Sequence, residues 1–166
     1  MSFTRRAFIK LLSLGLLLRY PSAVFAGPGL QDHEKTLAAF LDTLMPADET
    51  PAASELRIDQ TLLQKSDGDE RYRRLLRNGC LWLERTARRK YQSDFTALTG
   101  RQRVRIVELM EQARPRTIAR VFFHRVRTDL FEHYYSHPES WKGLDIDRPP
   151  QPKGYPDYDQ PPAAHS

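Results

Sequence analysis

From Glu70 to Tyr91 the side chains Tyr72, Leu76, Cys80, Leu83 and Ala87 recur at intervals of three and four residues. Successive residues of an α-helix turn by about 100°, so this spacing puts all five on one face. Leu75 and Trp82 widen that face, and arginines take the other side. A helix of this length, about 33 Å at 1.5 Å per residue, must bury its apolar stripe against other elements. No segment shows the two-residue alternation of a half-buried strand, so those other elements are helices too.

The rest of the chain agrees. Between Asp32 and Met45, Leu37, Phe40, Leu41 and Leu44 follow the i, i+3, i+4, i+7 pattern, and Pro46 stops the helix. "PADETPAASE" reads as a capped turn into a short helix around Ile58, Leu62 and Leu63, and Asp48 and Glu49 are expected to cap free amides at a helix start. "SDGD" at 66–69 is a loop by composition. After Phe95 and Leu98, Thr99 and Gln102 have capping-box spacing and open a helix using Val104, Val107 and Met110. A last helix, with Pro115 near its first turn, carries Ile118, Val121, Phe122, Val126, Leu130 and Phe131, and fails by Pro138. The expected fold class is all-α: a small irregular helical bundle over residues 27–137, without internal repeats.

The two ends differ in texture. "FTRRAFIK", Phe3 to Lys10, precedes an apolar segment of about a dozen residues, too short and interrupted to span a bilayer, and a small-residue exit at Ala26. That order describes a signal peptide over residues 1–26. A general secretory leader needs only some positive charge. Here Arg5 and Arg6 stand two residues before Phe8, with Lys10 following, which is the pattern of a twin-arginine export signal, with Ala26 at its cleavage site. At the other end, residues 138–166 concentrate proline with tyrosine, as in "RPPQPKGYPDYDQPP", and favour extended backbone without a core of its own. Such a tail either is disordered or lies across a surface, and Trp141, Tyr155 and Tyr158, as apolar anchors, favour docking on a partner.

The formal charge of +5 is largely the leader's, because without its four basic residues 22 basic side chains face 21 acidic ones. The distribution is uneven. Residues 28–70 carry 3 basic and 10 acidic side chains, 71–127 carry 16 and 4, and 128–166 carry 3 and 7. A basic middle between acidic ends suits internal pairing or an acidic partner, and no nucleic-acid-binding pattern accompanies it.

No Gly-x-Gly-x-x-Gly and no P-loop occur, so no usual nucleotide site is legible and no cofactor is assigned to this chain. Cys80 is the single cysteine, which excludes an internal disulfide, a four-cysteine zinc site and Cys-x-x-Cys-His haem attachment. Its position in an apolar stripe marks a small core residue, with a bridge to another chain as the lesser reading. Asp129, His133 and His137 stand four residues apart and would share one face of a continuing helix, which makes a periplasmic metalloenzyme one rival reading. Pro138 and the lack of a fourth ligand weigh against it, and no metal is assigned. A stand-alone binding module is the other rival.

"TLMPADETPAA", "FTALTGRQRVRIVELM" and "FFHRVRTDLFEHYYSHPESWKGLDIDRPPQPKGY" together resemble the gluconate 2-dehydrogenase subunit 3 family. The Met45-Pro46-Ala47-Asp48 turn and the segment from Tyr134 to Trp141 are the most specific parts. The resemblance implies a non-catalytic small subunit of a membrane-associated sugar or alcohol dehydrogenase. It also implies a large FAD-containing partner, often a cytochrome c subunit, passage through the twin-arginine translocase, and a periplasmic location at the inner membrane. Gluconate-type members carry a glycine pair after Tyr-Ser-x-Pro, where this chain has Glu139-Ser140-Trp141-Lys142-Gly143. The resemblance therefore implies the subunit role and not the gluconate substrate. For partner contact the aromatic and proline-flanked residues stand out: Phe122, Tyr134, Tyr135, Trp141, Tyr155 and Tyr158.

Overall fold

The stripe from Glu70 to Tyr91 is one unbroken helix in the computed structural model, which describes residues 33–144. Five α-helices make up the body: α1 (Glu34–Leu44), α2 (Ile58–Asp67), α3 (Glu70–Tyr91), α4 (Gly100–Glu111) and α5 (Ile118–Tyr134). Short 3-10 turns follow at Phe95–Ala97 and Pro138–Leu144. No strand occurs among the described residues, and none of their helices is long and apolar enough to cross a membrane.

Helices α1, α3 and α5 pack against one another, and α2 and α4 flank them, each touching all three. Although α1 has only 11 residues, Thr36, Leu37, Ala39, Phe40 and Leu41 are all buried, as expected of a helix surrounded by others. Helices α3 and α5 approach closely at Gly79. A β-carbon added at Gly79 would overlap the Phe122 ring, so the absent side chain is what lets that ring reach the α3 backbone. Phe122 is fully buried and lies 5.1 Å, centroid to centroid, from Phe40 of α1, so one aromatic pair ties the three central helices together.

The helix ends have local causes. Asp69 caps α3 by accepting from the amides of Arg71 and Tyr72, and Arg88, Arg89 and Lys90 suit the negative end of its dipole. Gln92 ends α3 in a left-handed conformation, φ 51°, and its amide bonds the Arg88 carbonyl. Thr99 and Gln102 form the reciprocal capping box expected of them at the start of α4.

Other local expectations are corrected. Ser66 and Asp67 belong to α2, and Asp69 already caps α3, so "SDGD" is a two-residue link and not a loop. The buried face of α4 is Ile106, Val107 and Met110, while Val104 points outward. On α5 the buried face is Ala119, Phe122, Phe123, Val126, Asp129, Leu130 and Tyr134, leaving Ile118, Val121 and Phe131 exposed. Pro115 precedes α5, whose cap is Thr117. The first residues assigned to the extended tail, 138–144, instead form a 3-10 turn on the helical body. The leader, including Arg5, Arg6, Phe8, Lys10 and Ala26, lies outside the described residues, as do Tyr155 and Tyr158.

Cys80 is buried in the core, and burial first, with nearby Glu84 second, pushes its thiol up to about 12. A thiol so placed is protonated and out of reach of another chain. A disulfide-exchange dye should therefore label the native protein negligibly and label one thiol per chain only as urea unfolds it. Fast stoichiometric labelling without denaturant would contradict this packing.

Candidate functional site

The two segments most specific to the resemblance lie far apart in the chain and meet in space. After α1, the Met45 amide bonds the Leu41 carbonyl, and the chain enters a tight turn. Asp48 Oδ1 accepts from both the amide and the hydroxyl of Thr50, each at 2.8 Å. Those bonds, the backbone one first, hold the Asp48 carboxyl below its usual pKa range and keep it anionic. Asp48 thus closes a turn ten residues ahead of α2 and does not cap a helix, contrary to the sequence expectation.

Tyr134, the last residue of α5, reaches this turn. Its hydroxyl lies 2.8 Å from the Pro51 carbonyl and 2.9 Å from Thr50 Oγ1, so one proton is shared between two acceptors 83 and 84 residues away. Thr50 meanwhile gives its own proton to Asp48. The chain then folds back through Pro138–Leu144, where Trp141 Nε1 donates to the Tyr135 carbonyl at 2.8 Å and buried Ser140 donates to the His137 carbonyl.

Between these segments lies a cleft of about 240 Å³, lined by Met45, Asp48, Glu49, Thr50, Tyr134, Tyr135, Ser140 and Leu144. Its rim sets exposed apolar side chains beside the polar ones. Tyr135 and Leu144 keep 43% and 51% of their surface in solvent, and exposed Phe131 stacks obliquely on Tyr135 with centroids 6.1 Å apart. The two aliphatic hydroxyls of the cleft are both spent, that of Ser140 on the His137 carbonyl and that of Thr50 on Asp48. What the cleft presents is two carboxylates beside aromatic and aliphatic edges, a pattern suited to docking.

The proposed contact residues separate accordingly. Phe122 and Tyr134 are buried, so they shape the core and cleft without being free to touch a partner. Tyr135 is exposed at the cleft and Trp141 half-buried beside it. The metal triad is not assembled. Helix α5 ends at Tyr134, which takes His137 off its face, and no cluster of three metal-ligating side chains occurs among the described residues.

Asp129 instead anchors a polar network between α2, α3 and α5. It is buried and receives Lys65 Nζ and Arg125 Nε, each at 3.1 Å. Both cations also lie over the Tyr72 ring, 5.8 and 5.5 Å from its centroid. Burial alone would raise the Asp129 pKa, but interactions with Tyr72, Lys65 and Arg125 outweigh it and lower the pKa. The buried Tyr72 hydroxyl has no hydrogen-bond partner of ordinary geometry, yet burial first and Asp129 second raise its pKa well above the usual range. Sequence reading missed this network because its members are 64 and 57 residues apart and each is unremarkable in its own helix.

No curated protein and no solved structure matches the chain. A family model, gluconate 2-dehydrogenase subunit 3, matches residues 31–146, and so takes in every described helix, the turn at Met45–Thr50 and the segment from Tyr134 to Leu144. By that match this chain belongs to the gluconate 2-dehydrogenase subunit 3 family, whose name describes one subunit of a dehydrogenase complex.

Proposed function

We propose that this chain is the non-catalytic small subunit of a periplasmic FAD-dependent sugar or alcohol dehydrogenase, and that it escorts the large flavoprotein through maturation and twin-arginine export. The family membership carries this reading. The leader supports it. A receptor-read signal that passes folded cargo is of use to a leaderless partner only if that partner is already bound. The flavin and the chemistry then belong to the large subunit, and a cytochrome c subunit completes the route of electrons to the membrane.

A pair that must survive passage through a pore needs a large interface, on the order of 2,000 Å² or more in total. The cleft with Tyr135, Trp141 and Leu144 supplies one shaped, partly apolar anchor, and the segment 145–166, with Tyr155 and Tyr158, supplies further contact residues.

Purification of the tagged full-length protein from the periplasmic or membrane fraction of its native host tests the reading. The expected eluate is yellow, with a flavin spectrum and a stoichiometric large flavoprotein encoded without its own leader. A colourless monomer from the same fraction would sink the proposal. Replacing both arginines of the Arg5-Arg6 pair with lysine should leave that flavoprotein in the cytoplasm, so its fractionation reports the escort directly.

A further inference from the structure

The 16 basic side chains of residues 71–127 outnumber the acidic ones four to one, and the fold does not neutralise them. All four acidic side chains in that stretch are already engaged. Glu84 accepts from Thr36 Oγ1 and the Phe95 amide, Asp94 pairs with Arg88, Glu108 with Arg105, and Glu111 with Arg127. Arg71, Arg77, Arg85 and Arg89 on α3 are exposed and have no ion pair among the described residues.

Their placement is ordered. Arg74, Arg77, Leu81, Arg85 and Arg88 follow steps of three and four residues along the side of α3 opposite its buried stripe. Arg71 and Arg89 extend the charge to about 27 Å along the helix. At its N-terminal end the row opens into a groove of about 380 Å³ against α5, lined by Arg71, Tyr72, Leu75, Val121 and Arg125, with Asp69 at its edge.

We infer that this side of α3 is a docking surface for a row of carboxylates on the large subunit, with one partner side chain seated in the Arg71–Arg125 groove. Charge complementarity selects an acidic occupant. Three observations favour a protein over an anionic bilayer. The row is almost wholly arginine, whose planar fork pairs with carboxylates bidentately. None of the large exposed apolar side chains lies on α3, and Val121 of α5 alone among them borders the groove, which is too little apolar surface to insert among acyl chains. The groove is shallow and open and carries Leu75 and Val121 beside its guanidinium groups, which fits a side chain with both an apolar stem and an acidic end. The partner's identity rests on the subunit reading above; the charge of the surface does not.

The test uses the full chain purified with its partner, comparing wild type with an R77E/R85E double variant. Both positions are exposed and unpaired among the described residues, so the thermal midpoint should stay at the wild-type value. Recovery of the flavoprotein at low salt should fall by about tenfold or more, with R77K/R85K retaining most of it. The wild-type complex should also weaken as salt rises from about 0.05 to 0.5 M, as exposed charge pairs do. Full recovery with R77E/R85E overturns the docking surface and leaves the subunit reading intact, whereas a wild-type eluate without any flavoprotein sinks both. If the double variant keeps the flavoprotein but no longer sediments with phosphatidylglycerol vesicles that bind wild type, the face belongs to the bilayer and the proposal falls.

Discussion

Phe122→Ala should destabilise the protein by about 4 kcal/mol in equilibrium urea unfolding, a large share of the roughly 5–15 kcal/mol that holds a typical domain together. The ring is fully buried, packs on Phe40, and lies against the α3 backbone at Gly79, so its removal opens a void bounded by three helices. Gly79→Ala probes the same contact from the other side. Its new methyl would overlap the ring, and forcing α3 and α5 apart should cost about 2 kcal/mol. Because the added methyl partly fills the space the ring vacates, the double variant should be more stable than the sum of the two losses predicts. Strict additivity would mean that the two residues do not touch.

The second large effect is expected at Asp129. Asp129→Ala removes the carboxylate shared by Lys65 and Arg125, and a broken buried pair costs about 3–5 kcal/mol when the stranded charge stays dry. Here the Lys65 and Arg125 side chains are 36% and 52% exposed, so water can take them back, and about 2 kcal/mol is the expected loss. The pH dependence carries a definite sign. A carboxyl whose folded pKa is lowered contributes its full stability above the ordinary value of about 4 and loses it as pH falls through the folded pKa. Wild type should therefore lose stability below about pH 4 more steeply than Asp129→Asn. Asp59 acts in the opposite sense, since burial raises its pKa and protonation relieves it, so the comparison with the variant is the informative one. Parallel curves for the two proteins would remove Asp129 from the account of acid unfolding.

Much of the helical layout was legible because its causes are local. The α3 stripe, the Thr99–Gln102 capping box and the stop after α1 at Pro46 depend on residues within one or two turns of each other. Periodicity failed where apolar residues occupy two sides of a helix. In α4 both Val104 and Ile106 are apolar, and packing of α1 and α5 against that helix, not its own sequence, chose Ile106 for the core. The same holds for Val121 and Phe131 on α5, exposed beside a stripe to which they looked native. Asp48 was misread because a carboxylate near a proline serves a helix cap or an isolated turn equally well until the position of the next helix is known.

The candidate sites divide along the same line. Sequence by itself determined that the chain is helical, that its middle is strongly basic, and that it belongs to its family, with the Met45–Asp48 turn and the segment from Tyr134 to Trp141 carrying the resemblance, because composition, period and motif are properties of neighbouring residues. Only the tertiary structure decided that Tyr134 would bond Thr50 and Pro51 to build a cleft from those two segments, that Asp129 would serve Lys65 and Arg125 instead of a metal, and that Arg71, Arg77, Arg85 and Arg89 of α3 would have no carboxylate partner among the described residues. Apart from the Arg125–Asp129 pair, which lies within one helix, these depend on groups brought together across 57 residues or more, or on acidic groups claimed elsewhere, and only the packing of helices specifies which distant groups come within hydrogen-bonding reach.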